Sequence, residues 1–177
     1  MAQLSEAVEE ATEVAASFRN AQLLSGDQTK LEEVLRGLRQ AELFHFAGHA
    51  VATIRRVALV LGEDSLLGAG DLANLRSWNL KLAVLSGCDT ANGSDESPAD
   101  VNSLARTLVA AGASSDVASR WRVDSAASSQ MMRAFYSELL SGKQPVRSLH
   151  AAEVALRNME GYRHPYYWRS LAVFRSS

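Results

Sequence analysis

Cysteine is almost absent from this sequence of 177 residues, which contains one, Cys88. A single thiol cannot form a disulfide within the chain, nor can it build a zinc site of the multi-cysteine type. We therefore expect the protein in a reducing compartment, the cytoplasm. No two of the four histidines have metal-binding spacing, so we expect no metal ion and no other cofactor.

Long apolar runs and an excess of one charge are also missing. No stretch approaches the roughly 20 apolar residues of a membrane-spanning helix, and the N-terminus has no signal-peptide pattern. Because the net charge is only −2, neither nucleic acid nor a membrane is expected as a partner. The length and the ordinary composition predict one globular domain over residues 1–177.

Apolar stretches of strand length alternate along the chain with amphipathic stretches of helix length. Strands are expected at 42–48, 81–86 and 115–121, in a hairpin formed by RVALVLGEDSLLGAG, and in YYWRSLAVF. Stripes of apolar residues at helical spacing lie between them. This alternation predicts an α/β fold whose mainly parallel central sheet is covered by helices on both faces.

Three local signals predict where helices begin. The segment TKLE, which starts at Thr29, has the pattern of a capping box. Asp124 or Ser125 is expected to cap the long helix that follows, and Pro145 is expected to open the next one.

Two of the expected strands end in a reactive side chain beside a glycine. AELFHFAGHA leads to Gly48 and His49, and LKLAVLSGCDT leads to Gly87 and Cys88. Ligands of open sheets bind at the carboxyl ends of parallel strands, so the two side chains meet if these strands are neighbours. A nearby imidazole promotes ionisation of a thiol and can later protonate a leaving amine. The pattern favours Cys88 as a nucleophile and His49 as its acid and base.

The same residues also fit an inert interpretation, in which Cys88 is a small buried hydrophobe and His49 an ordinary loop histidine. The residues alone leave this choice open. Of the other histidines, His45 is expected in the core or beside the site, His150 on a solvated helix face, and His164 in a turn.

Six blocks of the sequence, taken in order, resemble those of a known family. They are LFHFAGHA, ALVLGEDSLLGAGDLANL, LKLAVLSGCDTANG, LARTLVAAGASSDVASRWRVDSAAS, MMRAFYSELLSGK and HPYYWRSLAVF. The family is that of CHAT domains, which are caspase-like and often follow helical repeats. The resemblance extends from about Leu4 to Phe174 and implies a caspase-like three-layer sandwich. It also implies a cysteine peptidase of the caspase–separase group with His49 and Cys88 as the catalytic pair.

The resemblance assigns further roles around this pair. It implies that the backbone N–H groups of Cys88 and Ala50 bind the oxyanion, although many relatives have glycine where Ala50 stands. A substrate would lie extended along the strand that carries ASRWRVD. Candidate substrate-binding residues are Trp121 as a wall, Arg122 as a reader of acidic residues, and Asp89 or Asp124 as readers of basic ones.

The start of the chain departs from the family pattern. Relatives usually have an apolar strand before the first helix, placed between a short strand near QLLSG and the strand leading to His49. Here MAQLSEAVEE leads directly into the helix. We therefore expect an unfilled slot in the sheet, and either a fragment of a larger protein or a homo-oligomer that fills it. Asp116, where relatives prefer an aliphatic residue, is expected at an outward or edge position.

Two functions follow as expectations. The first is a cysteine endopeptidase that cleaves a protein substrate or its own precursor, beside upstream helical-repeat or regulatory domains. The alternative is a catalytically silent caspase-like module that binds protein partners, and a weaker third option is another thiol hydrolase or acyltransferase.

Overall fold

The computed structural model of the chain describes residues 2–26, 29–53, 56–62, 65–75, 79–90, 102–121 and 124–175. For 2–4, 52–53, 56–57, 87–90 and 102–103 it describes the main chain alone. The helices are α1 (Ala2–Ala16), α2 (Leu31–Leu38), α3 (Ala69–Ala73), α4 (Asn102–Ala110), α5 (Ser125–Leu140), α6 (Pro145–Asn158) and α7 (Pro165–Trp168). The strands are β1 (Leu43–Thr53), β2 (Arg56–Gly62), β3 (Ser65–Gly68), β4 (Leu82–Thr90), β5 (Ser115–Ser119) and β6 (Leu171–Arg175). Across these ranges, every helix is too short or too polar to cross a membrane.

The six strands form one sheet in the order β3-β2-β1-β4-β5-β6. The central strands β1, β4 and β5 are parallel, whereas β2, β3 and β6 run antiparallel to their neighbours. Short connections join β1 to β2 and β2 to β3, and such connections allow only antiparallel pairing. The α/β fold is confirmed, with a mixed sheet that is parallel at its centre.

Apolar clusters fill the space on both faces of the sheet. Side chains of β4 alternate between the two faces, so that Ala83 and Leu85 are buried on one face and Leu82 and Val84 on the other. The first face packs against α2, α3 and α4, and its buried residues include Leu38, Leu72, Leu104 and Leu108. The second face packs against α1, α5 and α6, and its buried residues include Val14, Met131, Phe135 and Leu156. This arrangement confirms the three-layer sandwich.

Two of the three helix-start predictions are confirmed. The Asp124 carboxylate accepts a hydrogen bond from the Ala127 N–H at 2.9 Å and so caps α5, and Pro145 is the first residue of α6. The prediction for Thr29 is wrong, because α2 begins one residue later, after Lys30. The Thr29 hydroxyl instead donates to the Gly26 carbonyl at 3.0 Å.

Asp116 lies in the interior of the sheet, so the expected outward or edge position is wrong. β5 is paired along its whole length with β6 and also with β4, and Asp116 is 0 % exposed. Its register partners, Ala83 and Phe174, are apolar. Neither carboxyl oxygen has a hydrogen-bond partner among the described residues. Burial raises the pKa of Asp116 to about 8, so the side chain is a neutral acid at pH 7.

One side of β1 has no strand partner over residues 43–49 in the part of the chain that the structure describes. Among the described residues, β2 pairs with β1 only from Ala50 to Thr53, whereas β4 pairs with β1 from Leu43 onward. Six of the seven residues in 43–49 are partly exposed. The His45 side chain is only 6 % exposed although the residue as a whole is partly exposed, so the exposure falls on its main chain. Residues 22–26, QLLSG, near which a short strand was expected, form neither helix nor strand.

Candidate active site

The strands that carry His49 and Cys88 are neighbours in the sheet. β1 and β4 are parallel, and their register pairs Ala47 with Ser86 and His49 with Asp89. The residue before Asp89 is Cys88, so its main chain lies beside that of His49. The condition set by the sequence, that the two strands be adjacent, is therefore met.

A β-bulge interrupts the ladder at this point. From one pair to the next β4 advances three residues and β1 only two, so Gly87 and Cys88 stand opposite Gly48. Such a bulge breaks the regular pairing and changes the direction in which its residues face. A Cβ added at Gly48 would lie 3.0 Å from the Phe46 ring, so a larger residue fits there only if that ring shifts. Because Cys88 falls within the bulge, its main chain is outside the regular pairing and lies next to that of His49.

The two residues lie inside their strands, not past the strand ends as expected. β1 continues to Thr53 because it turns into the hairpin with β2, and β4 remains paired with β1 as far as Thr90. On the other side, the last described pair between β4 and β5 is Leu85 with Ala118. The candidate site therefore lies toward the carboxyl ends of the parallel strands, beyond the last described pair between β4 and β5.

Ala50, the second candidate oxyanion residue, is enclosed by the sheet. It pairs with Leu59 of β2 on one side and with Thr90 of β4 on the other, and it is 0 % exposed. Whichever neighbour its N–H faces, a substrate oxygen reaches that group only if the ladder separates locally.

The candidate substrate-binding residues are placed differently. Trp121, just beyond β5, is 38 % exposed and stacks on Tyr166 with ring centroids 6.5 Å apart. The Trp121 indole N–H donates to the Tyr166 carbonyl at 3.0 Å, which fixes the ring at the surface. Asp124 is occupied as the cap of α5. Arg122 and the side chain of Asp89 lie outside the described residues.

A buried polar network lies beneath the candidate site, and local sequence patterns did not predict it. On the α1 side of the sheet, the Glu10 carboxylate lies 3.1 Å from His45 Nε2 and accepts a hydrogen bond from Ser128 Oγ at 3.3 Å. Ser128 Oγ is 2.8 Å from Ser86 Oγ, and His45 Nδ1 is 3.0 Å from the Tyr136 hydroxyl. The sequence signal was a glutamate four residues before Val14, on the face that α1 buries.

The protonation of Tyr136 constrains this network. Burial and, to a lesser extent, the negative charge of Glu10 hold the pKa of Tyr136 well above its usual value. The phenol therefore keeps its proton. When it donates to His45 Nδ1, the other ring nitrogen carries a proton toward Glu10, in a contact that lacks hydrogen-bond alignment.

The other histidine predictions can now be compared with the structure. His45 is in the core, as expected, and the His150 side chain is 77 % exposed on α6. His164 caps the short helix α7, since its Nδ1 accepts from the Tyr166 N–H at 3.2 Å. The described residues contain no group of three or more His, Cys, Asp or Glu side chains suited to hold a metal ion.

Comparison with known proteins gives one family and two relatives. The model of the CHAT domain matches residues 1–176. Tetratricopeptide repeat protein 28 of Mus musculus is 27 % identical over 208 residues, which cover 95 % of this chain and 8 % of the relative. The protein of the same name from Homo sapiens is 26 % identical with the same coverage. The chain thus spans about 8 % of the length of these curated relatives.

Proposed function

This chain belongs to the CHAT domain family, and we propose that it is a cysteine endopeptidase with Cys88 as nucleophile and His49 as acid and base. The observation that carries the proposal is the register of β1 and β4, which brings the main chains of these two residues side by side at a bulge. Caspase-like family membership supports the same chemistry. The substrate is a protein, or a longer precursor of the chain itself.

The chemistry begins when His49 removes the proton of the Cys88 thiol. The thiolate attacks the scissile carbonyl, and the backbone N–H of Cys88 stabilises the negative oxygen that forms. Protonated His49 then gives its proton to the leaving amine, and water hydrolyses the thioester in a second step. The Ala50 N–H can also bind this oxygen only if β1 separates locally from its neighbouring strands.

Substrate selection is proposed to occur beyond the carboxyl end of β5. An extended peptide would follow the strand that leads to Trp121, whose fixed and exposed ring forms one wall. Arg122 favours an acidic residue before the scissile bond, whereas Asp89 or Asp124 favours a basic one. Because Asp124 already accepts a hydrogen bond from the Ala127 N–H of α5, we assign the recognition of basic residues to Asp89.

Thiol reactivity tests the pair directly. An ordinary cysteine with a pKa of about 8.5 is only about 0.3 % ionised at pH 6, so an activated Cys88 should react much faster with iodoacetamide. We expect His49→Ala to slow alkylation at pH 6 by about tenfold or more. His150→Ala, which changes an exposed histidine on α6, should leave the rate unchanged. Equal rates in wild type and His49→Ala would contradict the proposal.

A binding module is the second candidate function, and the open edge of β1 favours it. Exposed strand edges in natural proteins are usually protected by lysine, proline or a covering element. Residues 43–49, LFHFAGH, contain no lysine, proline or acidic residue, and their outer main chain is unpaired among the described residues. An extended, uncharged segment of another protein would complete the ladder and lie between the layers of α1 and α2.

Amide hydrogen exchange of the dilute chain tests whether this edge is open. Because alternate main-chain groups of β1 face away from β4, we expect alternate amides in 43–49 to exchange at least about a hundredfold faster than their neighbours. Binding of a partner strand should protect them, and Cys88→Ala should leave that binding intact. Uniform protection of 43–49 in the unbound chain would rule out an open edge.

A further inference from the structure

One buried carboxylate is linked to both strands that carry the proposed catalytic pair, directly to β1 and through Ser128 of α5 to β4. Glu10, on α1, is 6 % exposed. One of its oxygens lies 3.1 Å from Nε2 of His45, which precedes His49 on β1 by four residues. The other accepts from Ser128, which is bonded in turn to Ser86, two residues before Cys88 on β4. The network therefore reaches each strand just before its reactive residue.

The direction of the hydrogen bonds follows from the carboxylate. Ser128 donates its one hydroxyl proton to the Glu10 carboxylate, so Ser86 must donate to Ser128. His45 presents its Nε2 to the same carboxylate from the other strand. The same carboxylate thus contacts His45 of β1 directly and is connected through Ser128 to Ser86 of β4.

The end of β4 needs such support. Beyond the pair of Leu85 with Ala118, the described part of β5 gives β4 no ladder partner. Within the described ranges, β4 from Ser86 onward is paired with β1 alone, and the bulge interrupts that ladder as well. The Ser86–Ser128 hydrogen bond is the described side-chain contact closest in sequence to the bulge.

We propose that Glu10 is a positioning residue for the pair of Cys88 and His49. This inference rests on the proposed endopeptidase function. Glu10 acts through His45 and through the Ser128–Ser86 chain, holding β1 and β4 in the register that sets the cysteine beside the histidine. An apolar side chain would pack α1 against the sheet without the cost of burying a carboxylate, so packing alone does not account for a glutamate at this place.

The test compares Glu10→Gln and Ser128→Ala with Glu13→Gln. Glu13 lies on the same helix and is bonded to Arg133 of α5, but both side chains are about half exposed. The first readout is amide exchange of residues 86–90, which we expect to quicken about tenfold or more in the first two variants. The second is the pH profile of Cys88 alkylation, which we expect to slow about tenfold at pH 6. Glu13→Gln should stay within about twofold of wild type in both.

A purely structural role gives a different result. In that case Glu10→Gln lowers the melting temperature but leaves exchange at 86–90 and the alkylation profile as in wild type, which overturns the inference. Faster exchange with an unchanged profile overturns it too, because the pair would then not depend on the network. If Glu10→Gln does not fold, Ser128→Ala and Ser86→Ala each remove one hydroxyl and decide the question.

Failure of the proposed function is distinguishable from failure of this inference. An unreactive wild-type Cys88, insensitive to His49→Ala, contradicts the endopeptidase. The exchange measurement needs no activity, so it still decides whether Glu10 holds the end of β4. Unchanged exchange in that case overturns the inference on its own terms.

Discussion

Replacing Cys88 with alanine is expected to reduce cleavage of a peptide substrate by at least about a thousandfold. Without the thiol no covalent intermediate forms, and only oxyanion binding and substrate orientation remain. The cleavage rate of His49→Ala is expected to fall nearly as far, because two residues that act as one catalytic unit lose most of their effect when either is removed.

The measurement is cleavage of a peptide library varied at the residue before the scissile bond. Cys88→Ala is run in parallel, and His150→Ala serves as a histidine variant remote from chemistry. A preference for acidic residues that disappears in Arg122→Ala identifies Arg122 as the reader, whereas a preference for basic residues points to Asp89 or Asp124. Cleavage that survives in Cys88→Ala would exclude the proposed nucleophile.

Absence of cleavage by any of these proteins would favour the binding module. The edge of β1 over 43–49 would then be the functional surface.

Asp116→Val is expected to stabilise the fold by about 4 kcal/mol at pH 7. In the native state the pKa of Asp116 is about 8, above its ordinary value of 3.8, so folding requires proton uptake. Because of this proton uptake, the free energy of unfolding of the wild type falls by about 1.4 kcal/mol per pH unit as the pH rises from about 4 to about 8. Below pH 4 the acid is neutral in both states and this cost vanishes.

Urea unfolding of wild type and Asp116→Val at pH 5, 6, 7 and 8 measures this effect. Every other ionisable group is common to the two proteins, so the difference between their stabilities isolates Asp116. We expect that difference to grow steadily over this range. If the stabilities of the two proteins instead change in parallel with pH, the pKa of Asp116 is the same in the folded and unfolded states. That result would contradict its unpaired, buried position between Ala83 and Phe174.

Much of the fold could be predicted from local sequence. The alternation of apolar strands with amphipathic helices specified an α/β sandwich, and Asp124 and Pro145 marked two helix starts correctly. Such signals succeed because capping and periodicity depend on residues a few positions apart. Thr29 failed because its hydroxyl found a partner in the preceding turn, at the Gly26 carbonyl, and the helix began one residue later.

The remaining features depend on contacts between distant parts of the chain. Local patterns placed His49 and Cys88 near the carboxyl ends of apolar strands, but they did not show that β1 and β4 are neighbours or that a bulge interrupts their ladder. The spacing of Glu10, four residues before Val14, is compatible with the buried face of α1, but only packing sets Glu10 against Ser128, 118 residues away. Periodicity specifies which face of an element is buried, whereas the residues that meet there depend on how distant elements pair and pack. Asp116 shows the same limit, since the pairing of β6 with β5 makes an interior strand of what would otherwise be the edge of the sheet.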